Sequence, residues 1–386
     1  MNVDFWRGRR VLITGQTGFK GGWLSLYLHR LGARVHGYGL APEPGPNLYD
    51  KARLGEVIDS EFGDIRDATA LRDCLERANP EVVFHLAAQA LVRRSYADPV
   101  ETYSTNVMGT VNLLQAVRSA QRVRAVVVVT SDKCYENDES GGAFSETSPL
   151  GGHDPYSSSK ACAELVCSAW RRSFLAQSDS AQIGLVTARA GNVIGGGDWS
   201  ADRLVPDLVA GFLAKTAVSI RNPMSIRPWQ HVLEPITGYV TLAERAFNQP
   251  AKYSGAWNFG PDQADVRPVA AIARDLMRLM GGESLLAAGM PSPVFHEAAR
   301  LVLNSDKARR ELGWVPRWTC ERALAAVAHW YAEEDRGASA RQLTLDQIAL
   351  YAGDTGARAS RLARRQQQRV GPQGHRSVEH ELDMGN

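Results

Sequence analysis

A short apolar segment, Arg10–Thr14, runs directly into three glycines spaced three residues apart, which are followed by a helical pattern of apolar residues. A strand, a glycine turn and a helix in this order are typical of a dinucleotide-binding unit. Gly15 permits the tight turn, Gly18 lets backbone amides approach a pyrophosphate, and Gly21 allows the helix to pack closely on the strand. The pattern therefore predicts a parallel α/β sheet that binds a dinucleotide at this turn.

Further apolar segments alternate with helical patterns, at residues 34–39, 61–67, 81–89, 125–129 and 183–189. The uninterrupted run at 125–129 indicates a strand that is buried on both faces. This alternation predicts a Rossmann-type, doubly wound parallel sheet. Ligands of such sheets bind at the carboxyl ends of the strands.

The regular alternation stops after residue 190, which predicts a division of the chain. We expect residues 1–190 to form the NAD-binding domain, with a return segment near 228–260. Residues 191–227 and 261–352 then form a smaller, interleaved α/β substrate-binding domain. Residues 355–386 are rich in Arg and Gln and poor in apolar side chains, which favours a disordered tail.

The second predicted strand lacks the acidic residue that usually binds the adenosine ribose. No clear basic clamp for a 2′-phosphate replaces it, although Lys51 and Arg53 lie downstream, so NAD is the expected cofactor. Asp64 and Ile65, at the end of the third predicted strand, are expected to contact the adenine, and Asp64 has a second interpretation as the N-cap of a helix. The predicted cofactor contacts are Gly15, Thr17, Gly18, Phe19, Gly21, Asp64, Ile65, Leu86, Ala87, Ala88, Tyr156 and Lys160.

Two polar segments carry the candidate chemistry. Ser131, Asp132 and Lys133 follow the strand at 125–129, and Tyr156 and Lys160 are four residues apart, on one face of a predicted helix. A phenol titrates near pH 10 in water, and a neighbouring ammonium together with the nicotinamide ring favours the phenolate. Tyr156 is thus a candidate base for oxidation of a hydroxyl group, with Ser131 hydrogen-bonded to the same oxygen.

Composition argues against several classes of function. Forty-four basic residues nearly balance 42 acidic ones, so the charge implies no nucleic-acid partner. No run of roughly 18 apolar residues or secretion signal is present, so we expect no membrane partner. The five cysteines have no metal-ligand spacing, and their odd number argues against a disulfide framework, so we expect no metal and a reducing, cytoplasmic location.

From about residue 7 to about residue 351, the chain resembles the extended short-chain dehydrogenase/reductase family. The resemblance depends on Gly15-x-x-Gly18-x-x-Gly21 and on Tyr156-x-x-x-Lys160. The Ser131-Asp132-Lys133 segment looks like the sugar-nucleotide 4,6-dehydratase branch, whose dTDP-glucose enzymes have Asp-Glu in place of Asp-Lys. The Asp-Lys pair and the segments at 190–199 and 227–235 resemble the enzymes that act on CDP-glucose.

The resemblance implies a lyase of deoxysugar biosynthesis that forms CDP-4-keto-6-deoxyglucose. Tyr156 and NAD would oxidise C4 of CDP-glucose, Lys133 would remove the C5 proton, and Asp132 would protonate the departing C6 hydroxyl. The hydride would then return to C6. Lys133 can act as this base only if it is deprotonated, and otherwise it can only stabilise the enolate.

The resemblance also implies substrate contacts and an oligomer. Arg227 and Asn192 match the substrate segments of the family, and Arg203 and Arg221 could assist because guanidinium groups suit phosphate oxygens. For each arginine the alternative is a surface salt bridge. The family suggests a homodimer, or a dimer of dimers, formed through helices near residues 106–120 and 156–174.

Two other functions stay open. One is a different sugar-nucleotide 4,6-dehydratase or a 4-epimerase, and an epimerase needs no base at C5. The other is a catalytically silent, NAD-binding regulator. A regulator needs only the glycine turn, so the joint presence of the polar residues of both segments favours an enzyme.

Overall fold

The computed structural model describes residues 2–139, 141–175, 183–287 and 298–353. The predicted tail at 355–386 lies outside the described residues. The strands are β1 Arg10–Thr14, β2 Arg34–Gly39, β3 Asp59–Phe62, β4 Val82–His85, β5 Ala125–Val129, β6 Gly184–Ala190, β7 Val193–Ile194, β8 Val218–Ser219, β9 Ile226–Pro228, β10 Gln230–His231, β11 Gly255–Phe259, β12 Val266–Pro268 and β13 Leu286–Ala287.

The central sheet has the order β11-β6-β5-β4-β1-β2-β3, and every neighbouring pair in it is parallel. The chain moves outward from β1 through β2 to β3, then crosses to the other side of β1 at β4. This reversal is the switch point at which a doubly wound sheet opens a crevice. The predicted Rossmann-type fold is therefore confirmed.

Alternate residues of the strands enter two different hydrophobic cores, one on each face of the sheet. Val127 of β5 faces one core, and its neighbours Val126 and Val128 face the other. Leu12 of β1 likewise packs on the opposite face from Ile13. Burial on both faces explains why these strands are apolar along their whole length.

The α-helices of the described residues are α1 Val3–Trp6, α2 Phe19–Arg30, α3 Leu48–Lys51, α4 Ala68–Ala78, α5 Val92–Ala97, α6 Pro99–Tyr103, α7 Gly109–Ser119, α8 Pro155–Trp170, α9 Leu204–Ala214, α10 Leu233–Asn248, α11 Pro250–Tyr253, α12 Val269–Met280, α13 Cys320–Asp335 and α14 Ala340–Ala352. A π-helical turn, Ser104–Met108, joins α6 to α7. This helical segment begins at Pro99 rather than at Asn106, where the apolar pattern begins. Asp98 caps it by accepting a hydrogen bond from the Glu101 amide at 2.8 Å.

Three small strand pairs lie outside the central sheet: β7 with β10, β9 with β12, and β8 with β13. They are built from residues between 193 and 287, where the regular alternation has ended. The seventh strand of the central sheet, β11, falls within the return segment near 228–260. In the described ranges, no helix is long and apolar enough to cross a bilayer.

Candidate active site

The glycine turn has the close contacts that a dinucleotide fingerprint requires. Gly15 has φ +80°, and a Cβ there would lie 2.7 Å from the Ala87 amide nitrogen. A Cβ on Gly21 would lie 2.0 Å from the Gly15 carbonyl oxygen. Gly18, by contrast, is exposed, and the nearest atom to its hypothetical Cβ is 3.5 Å away. The turn is therefore tightly packed beneath and open above Gly18 at the start of α2, which fits a pyrophosphate group.

The other residues predicted to contact the cofactor surround this turn. Thr17 donates a hydrogen bond from its hydroxyl to the Leu40 carbonyl at 3.0 Å. Phe19 packs against Gly195, where a Cβ would lie 2.9 Å from the ring. Ile65 is buried against Gly109. The half-buried residues just after β4 are Leu86, Ala87 and Ala88.

Asp64 is not a helix cap. The helix α4 is capped by Asp67, whose carboxylate accepts from the amides of Thr69 and Ala70, both at 3.0 Å. The Asp64 carboxylate instead accepts from the Arg66 amide and guanidinium at 2.8 Å. These bonds hold the pKa of Asp64 below its usual range. The N-cap interpretation is thus wrong, and a contact with adenine stays a prediction.

The two basic residues downstream of β2 are engaged in ion pairs. Lys51 pairs with Glu334 of α13, and Arg53 pairs with Glu56 within the same turn. Their charges are therefore balanced by carboxylates on the protein itself.

Ser131, Asp132 and Lys133 form a tight turn at the carboxyl end of β5. The Ser131 hydroxyl donates to Asp132 Oδ1 at 3.1 Å and accepts from the Lys133 amide at 3.2 Å. Ser131 and Asp132 are buried, and Lys133 is half-buried. Burial raises the pKa of Asp132, while the charge of Lys133 and the bond from Ser131 act in the opposite direction.

The helix α8 places Tyr156 and Lys160 beside this turn. Asp154 caps the helix, accepting from the Ser157 amide at 2.9 Å, and Pro155 occupies its first position. Tyr156 and Lys160 are buried one turn apart, and the Lys160 ammonium donates to the Val129 carbonyl at 3.3 Å. The structure thus brings the two predicted polar segments together.

Burial acts on the protonation of both Tyr156 and Lys160. In the cofactor-free chain, burial raises the pKa of Tyr156 to about 12, while the hydrogen bond with Ser131 and the charge of Arg203 act to lower it. Burial also lowers the pKa of Lys160 to about 8. Among the protein's own groups, desolvation outweighs the nearby charges, and the contribution of the nicotinamide ring to the phenolate stays a prediction.

Of the predicted substrate residues, Arg227, Arg203 and Asn192 lie near the turn. The charge of Arg227, on β9, acts on the pKa of Asp132, and the charge of Arg203 acts on the pKa of Tyr156. Asn192 lies just after β6, and its carbonyl accepts from the Gln230 amide at 3.1 Å.

Arg221 is placed differently, because it pairs with Asp202 at 2.7 Å and approaches Asp207 at 3.7 Å. The structure therefore favours the alternative interpretation of Arg221, a surface salt bridge, over a contact with the substrate. Arg203 has a partial partner as well, since it lies 3.4 Å from the buried carboxylate of Asp198.

Lys20 was missed by the sequence analysis, although it belongs to the site. It lies inside the glycine turn, on the first turn of α2. Burial and the charge of Arg203 lower the pKa of Lys20 to about 8, and the charge of Asp132 acts against them. The sequence does contain an indication of this role, because Lys20 lies between Gly18 and Gly21, inside the turn predicted to bind the dinucleotide.

The arrangement combines a phenol, three ammonium groups and a buried carboxyl group at the carboxyl edge of the central sheet. It can therefore exchange protons at three neighbouring positions of a bound molecule, next to a turn suited to a dinucleotide. This is more than a simple alcohol oxidation needs.

Comparisons with known proteins agree with this geometry. Residues 11–260 match the model of the NAD dependent epimerase/dehydratase family. The chain is 49% identical over 340 residues to a CDP-glucose 4,6-dehydratase of Salmonella typhimurium, covering 87% of this chain and 94% of that protein. It resembles a solved dTDP-glucose 4,6-dehydratase of Streptomyces venezuelae with NAD and TYD bound, at 26% identity and a TM-score of 0.71, covering 85% and 98% of the two chains. A UDP-glucose 4-epimerase of Thermotoga maritima shares the fold at 20% identity, with a TM-score of 0.72 and coverage of 84% and 99%.

Proposed function

Because the chain belongs to the NAD dependent epimerase/dehydratase family, we propose that it acts as a hydro-lyase on CDP-glucose, forming CDP-4-keto-6-deoxyglucose. The observation that carries this function is the Asp132-Lys133 pair, held beside Tyr156 and Lys160 in a chain closely similar to the Salmonella enzyme. An alcohol dehydrogenase needs only Tyr156 and Lys160. Asp132 and Lys133 add the acid and the base that an elimination requires.

NAD is the cofactor that the glycine turn would hold. The packing of Gly15 against Ala87 and the open surface above Gly18 fit its pyrophosphate, and the small residues after β4 leave room for its flat rings. When bound, NAD supplies the hydride-transfer chemistry: its oxidised form is the acceptor of the hydride from C4, and its reduced form is the donor of the hydride to C6. The reaction is therefore redox-neutral overall.

The side chains of this protein move the protons. Tyr156 accepts the proton of the C4 hydroxyl, with Ser131 hydrogen-bonded to the same oxygen, and the new ketone makes the C5 proton acidic. Lys133 takes the C5 proton, and Asp132 donates a proton to the C6 hydroxyl, which leaves as water. The rise that burial causes in the pKa of Asp132 suits a group that must donate a proton.

The diphosphate of the substrate is assigned to the arginines near this turn. Arg227 and Arg203 carry charges that act on Asp132 and Tyr156, so a diphosphate between them would lie close to the hexose. Asn192 completes this side of the site. We assign substrate binding to residues 191–227 and 261–352, and cofactor binding to residues 1–190 with the return segment.

The test is incubation of the purified protein with CDP-, dTDP-, UDP- and GDP-glucose. We expect a product that has lost one water from CDP-glucose and the incorporation of solvent deuterium at C5. An epimerase would produce an isomer of unchanged mass without exchange at C5. A protein that binds NAD but converts none of these sugars would be a regulator.

We also propose a cytoplasmic homodimer. Val100, Met108 and Leu165 are large apolar side chains that are more than half exposed, on the helical segment at 99–119 and on α8. Their burial against a second copy would remove apolar surface from water. The cysteines are all free thiols, as in a reducing compartment. Light scattering of the purified chain measures the mass of the oligomer.

A further inference from the structure

The turn that carries Asp132 and Lys133 is anchored immediately before and immediately after those residues. On the upstream side, the Thr130 hydroxyl donates to Glu164 Oε1 at 2.5 Å. On the downstream side, the Tyr135 hydroxyl accepts from Arg189 Nη1 at 2.7 Å. Both anchors end on partners that are themselves joined to each other.

Glu164 and Arg189 form a buried, bidentate ion pair. Arg189 Nε lies 2.9 Å from Glu164 Oε1, and Arg189 Nη2 lies 2.8 Å from Glu164 Oε2. Both side chains are at most 3% exposed. Burial by itself would raise the pKa of Glu164, but the bonds from Arg189 hold it below its usual range. The pair is therefore charged, and its geometry is fixed by two parallel bonds.

Tyr135 extends this network to a third strand. Its hydroxyl donates to Asn258 Oδ1 of β11 at 2.7 Å, and its ring stacks on Phe144 with centroids 5.0 Å apart. The side-chain amide of Asn258 in turn donates from Nδ2 to the Phe144 carbonyl at 2.9 Å. The downstream end of the turn is thus held to β6 and β11, which lie beyond β5 in the sheet.

We infer that Thr130 and Tyr135 are positioning residues, which use the Glu164–Arg189 pair to aim Asp132 and Lys133 at C6 and C5 of the substrate. The inference rests on the proposed function. Glu164 lies on α8, one turn after Lys160, so the Thr130 anchor also joins the turn to the helix that carries Tyr156 and Lys160. The Tyr135 hydroxyl, by contrast, bonds directly to Arg189 of β6 and Asn258 of β11. The direct contacts of the Tyr135 hydroxyl are therefore separate from those that hold Tyr156 and Lys160.

This separation predicts a selective defect. Tyr135→Phe keeps the ring and its stacking on Phe144 but removes the hydroxyl that joins Arg189 and Asn258. We expect kcat to fall about 10-fold through the elimination, with the dissociation constant of NAD within about twofold of wild type. Thr130→Val also removes a bond to α8, so it should lower kcat through both oxidation and elimination, whereas Thr130→Ser keeps the hydroxyl and should restore wild-type behaviour.

The experiment compares CDP-glucose deuterated at C4 with CDP-glucose deuterated at C5. If elimination becomes slower than oxidation, the kinetic isotope effect from C5 grows and the effect from C4 shrinks toward unity. Tyr351→Phe is the matched control, because it removes another buried phenol hydroxyl, which donates to Glu234 at 2.5 Å. It should lower the melting temperature without changing either isotope effect.

A fall in the kcat of Tyr135→Phe with both isotope effects unchanged would overturn the inference, as would full activity of Tyr135→Phe and Thr130→Val. Wild-type protein that dehydrates no nucleotide-glucose would instead overturn the proposed function, and the inference with it. If Tyr135→Phe is too unstable to measure, the kcat values of Thr130→Val and Thr130→Ser are compared instead. Equal kcat values of these two variants would overturn the inference.

Discussion

The Lys160 ammonium donates a hydrogen bond to the Val129 carbonyl at 3.3 Å, so the helix that carries the candidate base is joined to the strand that carries the candidate acid. Val129 is the last residue of β5, two positions before Ser131. Lys160 therefore has a structural contact as well as a charge. A substitution of Lys160 would change both, which makes Tyr156 the cleaner position for a test.

Tyr156→Phe should lower kcat by roughly 10²- to 10⁴-fold, because the ring stays in place while the proton acceptor is lost. The hydroxyl faces Ser131 rather than a structural partner in the core, so the melting temperature should change little. Stopped-flow measurement of C4 oxidation checks the rate, and calorimetric titration with NAD checks that the cofactor still binds. Oxidation at the wild-type rate would mean that another group accepts the proton.

Asp132→Asn should separate exchange at C5 from loss of water. The amide cannot donate the proton that the C6 hydroxyl needs, so dehydration should fall by roughly 10²-fold or more while deuterium still enters at C5. A general acid works in its protonated form, so the wild-type rate should decrease as the pH rises past the pKa of Asp132, which burial has raised. This decrease of the rate with rising pH should be missing from the pH profile of the residual activity of Asp132→Asn.

Lys133→Ala should abolish the entry of solvent deuterium at C5, because the methyl group cannot accept a proton. Mass spectrometry of the recovered sugar in deuterium oxide measures this exchange directly. Exchange at the normal rate would contradict the assignment of Lys133 as the base. The next candidate for the base would then be Lys20, because burial lowers its pKa to about 8.

Gly191→Ala should disturb the catalytic turn from the opposite side. A Cβ at residue 191 would lie 2.9 Å from Asp132 Oδ2 and 2.5 Å from Pro228 Cγ, so the carboxylate must shift. We expect the dehydration rate to fall about 10-fold. Gly142→Ala is the control, since nothing lies within 4 Å of its hypothetical Cβ, and it should keep full activity.

Lys20→Met should stabilise the cofactor-free protein near neutral pH. Burial lowers the pKa of Lys20 from 10.5 to about 8, so between these values the unfolded chain binds more protons than the folded chain. The free energy of unfolding of the wild type therefore rises with pH across this window, and the penalty is largest below it. The gain in melting temperature should vanish above pH 10.5, whereas the exposed Lys252→Met should follow wild type throughout.

The sequence patterns were sufficient wherever the determinant was local. The strand Arg10–Thr14, the strand Ala125–Val129 and the spacing of Tyr156 and Lys160 on one helix depend on neighbouring residues, and the structure has all three. The glycine turn is partly local, because Gly21 packs on Gly15 within one βα unit, whereas Gly15 also packs on Ala87, which follows β4.

Contacts between distant residues could not be predicted in this way. Glu164 and Arg189 are 25 positions apart and Tyr135 and Asn258 are 123 positions apart. They meet because β5, β6 and β11 are neighbours in the sheet and α8 packs against β6. The pKa of Tyr156 was also beyond sequence reasoning, since it depends on burial rather than on the spacing to Lys160.

The anchoring of the turn by Thr130 and Tyr135 leaves the side chains of Asp132 and Lys133 out of the supporting network. Evolution or a protein engineer can therefore exchange these two residues without dismantling the scaffold that presents them. Under the proposed roles, one backbone and one Tyr156–Lys160 pair would serve several reactions, according to which acid and base occupy positions 132 and 133. New sugar chemistry on this fold is accordingly most accessible at positions 132 and 133.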